Sequence, residues 1–294
     1  MRFTFFLLPA VLLLSACGPK TLEPDAAIEC DNCASWNEPQ SPFRIHGNTW
    51  YVGTSGLTAL LIETDAGLIL IDGGLPQSAA LIDANIRNLG FDTRDVKAIL
   101  ISHAHFDHAG GLAALQRLTG ATVFTSQAGR ETLVTGKLQP GDPQYVADSQ
   151  ASSFPPVREV LAVGDGEVVT VGNVDVKAVY TPGHTPGGTT WAWQSCALNI
   201  CYDVVYADSM SAVSAQGFKF SESGAAEKLV ASAGVIADLD CDILLSPHPF
   251  FFGMQDKLER IDDGNPFINN VACLMYADSS LQWLERRLEA EGSH

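Results

Sequence analysis

Ile99-Leu100-Ile101-Ser102-His103-Ala104-His105-Phe106-Asp107-His108-Ala109-Gly110-Gly111 is the stretch on which the reading turns. Val96 to Ser102 is an apolar run of the kind buried on both faces of a sheet. It leads straight into three histidines and an aspartate within six positions. One histidine at a strand end is usually structural, but four potential ligands packed this tightly before a Gly-Gly turn into a helix rarely are. In an extended stretch residues i and i+2 point the same way, so His103 and His105 can grip one ion together. After the turn, Asp107 and His108 can address a second ion close by. Nitrogen ligands with one carboxylate suit zinc.

Each ion needs a further, distant ligand. Thr181-Pro182-Gly183-His184-Thr185-Pro186-Gly187-Gly188 sets a histidine in a rigid loop just after a strand, and Ser246-Pro247-His248-Pro249 does the same later. Each follows a strand, as the first cluster does, so all can meet at one sheet edge. His46, beside a turn glycine, is left unassigned.

Working outward, the spacing predicts strands at 43–45, 49–52, 58–63 and 67–71, with Gly-containing turns between them. A helix is expected from Ser78 to Leu89, ending at Gly90, then the strand at 96–102, a helix at 110–120 and a strand at 123–125. The second half repeats the grammar: strands at 167–171, 174–181, 189–194, 204–207 and 243–246, and helices at 225–239 and 272–291. Two β-rich halves, each ending in helices, predict an α+β fold of four layers, an αββα sandwich.

The chain has 294 residues, 46% of them hydrophobic and only 17% charged, which supports one large core and excludes a disordered chain. Met1-Arg2 followed by the apolar run Phe3–Leu14 reads as a signal peptide, too short to span a bilayer as a mature helix. Without residues 1–16 there remain 16 Lys+Arg against 34 Asp+Glu, a net −18, and so acidic a surface repels nucleic acid. Residues 17–42, rich in Pro, Asp, Glu and Asn, read as a tether to a domain spanning 43–294.

Seven cysteines are an odd set for an exported chain. Leu14-Ser15-Ala16-Cys17 resembles the lipobox of bacterial lipoproteins, which implies cleavage before Cys17 and lipidation of its thiol. Gly18 after it implies sorting to the periplasmic side of the outer membrane. The alternative is ordinary signal cleavage with Cys17 incidental. Of the other six, Cys196 and Cys201 flank a polar tip between two strand-like runs and suit a disulfide. Cys241–Cys273 would close a loop of about 32 residues, contributing roughly 3 kcal/mol in the chain-entropy model. Cys30 and Cys33 form a Cys-x-x-Cys pair with no spare sulfur ligands nearby, so a local disulfide is expected over a metal site.

The run His103-x-His105-x-Asp107-His108 resembles the signature of the metallo-β-lactamase superfamily, and His184 and His248 match its later ligands. Asp72 in Leu70-Ile71-Asp72-Gly73-Gly74 resembles the strand-end aspartate that supports the family's site without ligating. Tyr206-Ala207-Asp208-Ser209-Met210-Ser211 is similar to a stretch of the class B, subclass 3 β-lactamases. Trp191-x-Trp193, the Asn48–Thr54 start and the Cys241/Cys273 pair match as well. The resemblance implies two Zn²⁺ ions: zinc one on His103, His105 and His184, zinc two on Asp107, His108 and His248. It implies a zinc-bound hydroxide, with Asp107 as the catalytic carboxylate, attacking the ring amide of β-lactam antibiotics, carbapenems included, and so conferring resistance. Ser209 and Ser211 would hold the drug's carboxylate. A polar stretch from Gln139 to Pro156 is expected to wall the groove, with Phe154 or the Phe250–Phe252 run against a drug side chain. At least two of those three phenylalanines are expected in the core instead. A monomer is expected. The runner-up is a lactonase or glyoxalase II-like thioesterase of the same fold, which requires Asp208 to bridge the zincs. A non-catalytic binding lipoprotein is the third reading, and it would not require six ligands.

Overall fold

A computed structural model describes residues 21–149 and 152–292. The expected signal peptide at 1–16, the lipobox and Cys17 lie outside the described residues. The chain builds two sheets. The first holds β1 (Phe43–His46), β2 (Thr49–Tyr51), β3 (Leu60–Thr64), β4 (Gly67–Ile71), β5 (Val96–Leu100), β6 (Thr122–Ser126) and β7 (Val160–Val163), in that order. Its first four strands pair antiparallel and the rest parallel. The second runs β12-β11-β10-β9-β8, from β8 (Val168–Val171), β9 (Val174–Tyr180), β10 (Thr189–Ala197), β11 (Ile200–Tyr206) and β12 (Ile243–Leu245).

Helices cover both outer faces. From the first half come α1 (Cys33–Trp36), α2 (Ser78–Asn88), α3 (Phe106–Ala109), α4 (Leu112–Thr119) and α5 (Gln127–Thr135). From the second come α6 (Phe220–Ser223), α7 (Ala225–Ala237), α8 (Met254–Leu258) and α9 (Ala272–Gly292).

Three buried clusters fill the three spaces between four layers. Ile82 and Ile86 of α2 and Leu112 and Leu115 of α4 pack on Leu61, Leu70, Ile99 and Val123 of the first sheet. Between the sheets, Leu60, Ile62, Ile69, Ile71 and Leu100 meet Val176, Trp191, Trp193, Val204 and Tyr206. On the far side Val205 and Leu244 meet Leu229 and Ile236 of α7 and Tyr276 and Leu284 of α9. The expected αββα sandwich is thus the observed one. The central strands are apolar on both faces because both faces are covered.

Three features depart from the sequence reading. Strand β7 and helix α5 were not expected. Strand β7 is four residues long at a sheet edge, and only its first and last side chains are buried. Helix α5 is started by Ser126, whose hydroxyl accepts the Gly129 N–H at 3.2 Å. Residues 21–42, read as a tether, lie on the domain: Ile28 and Cys33 enter the first cluster, and Ile28 pairs through its backbone with the Gln77 amide. The expected Cys30–Cys33, Cys196–Cys201 and Cys241–Cys273 disulfides are all formed. Among the described residues no helix is long and apolar enough to cross a membrane.

Candidate metal centre

The ligating segments leave the strands at one rim of the sandwich. The residues after β5 carry His103 and His105, α3 carries Asp107 and His108, and the β9–β10 loop carries His184. The chain after β12 carries His248. Two bonds lock the first of these in place: the Trp191 indole N–H donates to the Ile101 carbonyl at 3.0 Å, and the Thr189 N–H to the Ser102 carbonyl at 2.8 Å. The Gly110-Gly111 turn is a steric requirement. A Cβ on Gly111 would stand 2.2 Å from the Gly73 carbonyl oxygen, so only glycine lets α3 fold back against the end of β4.

The structure brings the six sequence-predicted ligands into two groups, His103/His105/His184 and Asp107/His108/His248, with ligand atoms within 4.8 Å of one another in each. Five imidazoles form one contiguous cluster, with His103 4.5 Å from His108 and 4.8 Å from His184, and His108 4.9 Å from His248, ring to ring. For four of them a fixed partner on one nitrogen decides which nitrogen faces inward. Asp208 Oδ1 lies 2.7 Å from His103 Nδ1, and the Ser211 carbonyl 2.8 Å from His184 Nδ1. The Gly56 carbonyl lies 3.2 Å from His248 Nδ1. His105 is turned the other way, its Nε2 3.1 and 3.2 Å from the two oxygens of Asp142, which leaves Nδ1, 3.4 Å from the Gln144 amide nitrogen, as the ligand atom of the group. Asp107 Oδ2 lies 3.3 Å from His108 Nε2 and 3.4 Å from His248 Nε2.

These residues fit a pair of zinc ions. His108 Nε2 faces the Asp107 carboxylate at 3.3 Å, and His103 Nε2 is buried with no hydrogen-bond partner among the described residues. A buried polar atom left so costs about 1–3 kcal/mol, which a bound cation removes. Burial, reinforced by the neighbouring rings, holds the His103 imidazole well below its usual range, and burial with His105 alongside brings His184 down to about 3. Both rings therefore stay neutral and offer lone pairs, as ligation requires. Burial pushes the Asp107 carboxyl up, but His108 and His248 against it more than offset this, and it stays ionised.

Asp72, at the end of β4, adopts a left-handed φ of 61°. Its carboxylate accepts the Ser102 N–H (2.8 Å), the Ser102 hydroxyl (2.7 Å) and the Tyr206 hydroxyl (2.6 Å), and stands 3.8 Å from His108 Nδ1. It belongs to neither ligand group and ties the two sheets together beneath them.

The remaining candidates separate. Ser209 Oγ is buried without a hydrogen-bond partner, and Ser211 Oγ lies 3.1 Å from His184 Nδ1. Asp208 sits behind His103: Oδ1 holds the ring, and Oδ2 lies where a Cβ on Gly188 would meet it at 2.3 Å. Phe154 is 5% exposed in the core, which corrects its reading as a groove contact: it packs in the cluster between the first sheet and its helices. Of the phenylalanine run, Phe252 is buried between the sheets and Phe251 packs on the α9 side. Phe250 is 66% exposed, its ring 5.7 Å from His248. His46 lies elsewhere, edge-on to Tyr202. Sequence reasoning missed Trp36, whose ring centroid is 5.2 Å from that of His248, and Asp142, since neither stands near the ligands in the chain.

A family model described as the metallo-beta-lactamase superfamily matches residues 53–248. Among solved structures, Rm3 metallo-beta-lactamase is 45% identical with a TM-score of 0.87, over 90% of this chain and 100% of that one. MEM-A1, a subclass B3 metallo-beta-lactamase from a soil metagenome library, is 45% identical with a TM-score of 0.85, over 88% and 99%. An N-acyl homoserine lactonase of Bacillus thuringiensis is 28% identical over 150 residues, which is 43% of this chain and 54% of that protein. The chain thus spans about half the length of such curated relatives. With two metal-ligand groups at the rim of an αββα sandwich, and a family model covering most of it, the chain belongs to the metallo-β-lactamase superfamily.

Proposed function

We propose that the protein is a zinc-dependent β-lactamase, hydrolysing the ring amide of β-lactam antibiotics, carbapenems among them, and so conferring resistance. The observation that carries this over the lactonase and thioesterase readings is the placement of Asp208. Those readings need its carboxylate between the ions, and here Oδ1 lies 2.7 Å from the outer nitrogen of His103, which sets the carboxylate behind that ring. The full-length likeness to named β-lactamases agrees, while the lactonase likeness is partial.

His103, His105 and His184 would hold one zinc, and Asp107, His108 and His248 the other. When bound, the zinc pair supplies Lewis acidity that makes water a competent nucleophile at neutral pH and polarises the carbonyl. Asp107 sets its carboxylate against His108 and His248 in the second group, and from there it would orient the attacking water. Water adds across the amide, a C–O bond forms as the C–N bond breaks, and the proton passes to the ring nitrogen. Ser209 and Ser211 would hold the substrate carboxylate, and the exposed ring of Phe250 would meet the drug's apolar face.

Export is part of the proposal: cleavage before Cys17, a lipid on its thiol, and residence as a monomer on the periplasmic side of the outer membrane. Leu14-Ser15-Ala16-Cys17 supports the anchor, and three disulfides suit an oxidising compartment.

The test is turnover of a carbapenem, a cephalosporin and an acyl-glutathione thioester by the zinc-loaded protein, with a chelator control and His103→Ala. Chelator-sensitive opening of the β-lactams, lost in the variant, is expected. Turnover of the thioester alone would leave fold and metals standing and refute the substrate class.

A further inference from the structure

We propose that Asp142 is a positioning residue for His105, through which the groove segment Gln139–Ser149 and the first metal site order one another. The inference rests on the two-zinc reading above. The segment is exposed or half-buried along most of its length, yet Asp142 and Pro143 are buried within it. Asp142 is 7% exposed and places both carboxylate oxygens on His105 Nε2, at 3.1 and 3.2 Å. The same side chain shapes its own turn: Oδ1 accepts the Gln144 N–H at 2.8 Å, and the Asp142 carbonyl accepts the Tyr145 N–H at 3.0 Å. One carboxylate therefore closes a local turn and orients a metal ligand.

Among the described ligands, His105 alone has its outer nitrogen held by a carboxylate from this segment. His103 and His184 are held from the chain after β11, and His248 by a backbone carbonyl. Four of the segment's backbone bonds are internal, and its outward ties include the Ala215 N–H to the Pro143 carbonyl (2.9 Å), the Ser152 N–H to the Ser149 carbonyl (3.1 Å) and the Val146 N–H to the Ser152 hydroxyl (2.8 Å). A segment exposed or half-buried along most of its length opens locally at lower cost than the strands around it. A cation on His105 Nδ1 fixes the ring with Nε2–H toward Asp142, and Asp142 in place fixes the ring for the cation. Whatever free energy links the two must act equally in both directions. Carboxylate partners on ligating imidazoles are typically worth about 10–100-fold in metal affinity.

The experiment compares wild type, Asp142→Asn and Asp142→Ala by zinc competition against a chromophoric chelator, together with hydrogen exchange of residues 139–149 in zinc-free and zinc-loaded protein. Zinc should slow exchange of the segment in wild type. Asp142→Ala should bind one of its two zincs about 10–100-fold more weakly and lose that slowing. Asp142→Asn, which keeps a neutral acceptor for both N–H groups, should fall between, and it carries the comparison if the alanine variant does not fold. Zinc affinities within twofold of wild type in the variants, with the segment loosened equally in both metal states, would reduce Asp142 to a turn residue and overturn the inference. Failure of wild type to take up two zincs would sink the two-zinc reading itself, and this inference with it.

Discussion

Asp72→Ala should cost the zinc-free protein about 3–5 kcal/mol, and Asp72→Asn about 1 kcal/mol or less. The carboxylate satisfies three donors, the Ser102 N–H, the Ser102 hydroxyl and the Tyr206 hydroxyl, in a place where Asp72, Ser102 and Tyr206 are all fully buried. Alanine strands the backbone N–H and the phenol outright, at about 1–3 kcal/mol each. The Ser102 hydroxyl retains only His103 Nδ1, 3.4 Å away. Alanine must also adopt the left-handed φ of 61°, which asparagine tolerates and alanine pays for by about 1 kcal/mol. Asparagine keeps an acceptor for the Ser102 N–H, and its amide donates to both hydroxyl oxygens, which leaves about 1 kcal/mol of cost for the acceptor their own O–H groups lose. It also removes a charge that the fold does not favour: burial raises the Asp72 carboxyl above its ordinary range even after His108, Tyr206 and Ser102 pull it back. A group raised in this way stabilises the fold below its unfolded pKa and loses that contribution as pH rises through the folded one, so neutral pH is where asparagine compares best. Urea unfolding of the zinc-free protein at pH 7, read as a change in midpoint at constant m, measures both variants. Alanine costing under 1 kcal/mol, or asparagine costing as much as alanine, would refute the assignment of Asp72 as the tie between the sheets.

Gly188→Ala should lower β-lactam turnover at least about tenfold and weaken zinc binding, because the new methyl would lie 2.3 Å from Asp208 Oδ2 and 2.6 Å from the Thr181 carbonyl and push Asp208 off His103. Activity within twofold of wild type would contradict it. Replacing Cys241 and Cys273 together by serine should cost about 3 kcal/mol of unfolding free energy, since a bridge of sequence separation 32 is removed; a urea midpoint unchanged by the double replacement would show the loop to be held by packing alone. Glu291 titrates at about 2 against an ordinary 4.5: burial alone would raise it, but Arg287 and the Ser221 and Phe220 N–H groups outweigh that. Its contribution is therefore complete above about pH 4.5 and fades as pH falls toward 2. The stability gap between wild type and Glu291→Gln should narrow between pH 5 and 3, and a gap constant over that range would contradict the reading.

The parts of the molecule visible in the sequence are those encoded by short-range periodicity. A strand with i, i+2 ligands, a Gly-Gly turn, a Pro-Gly loop and a histidine between two prolines each carry their meaning within a dozen residues, and the four-layer order follows from runs that are apolar on both faces. What was missed lacks such a signal. Val160–Val163 is apolar throughout but only four residues long, and with its two middle residues exposed at a sheet edge it shows no alternation to mark it. Helix α5 contains Gly129 and three polar residues after it, and only the Ser126 cap announces it. The segment before Phe43 is polar on average, but Ile28 and Cys33, with Leu22, Cys30 and Trp36 packed beside them, seat it on the domain, and an average cannot show a few scattered anchors.

The metal centre divides along the same line. Which residues ligate is written in residue type and spacing; which nitrogen each imidazole presents is set by partners at separations from 27 residues for His184 and Ser211 to 192 for His248 and Gly56. Asp208 shows why this matters for function. In the chain it is an aspartate at the end of a strand leading to the site, the position from which a carboxylate can bridge two ions, and the sequence by itself leaves that role open. Whether it bridges depends on Gly188, which leaves room for Oδ2 against the β9–β10 loop, and on His103, whose Nδ1 claims Oδ1. With Oδ1 committed to the outer nitrogen of His103 and Oδ2 buried against the β9–β10 loop, the space between the two ligand groups is left to water and substrate.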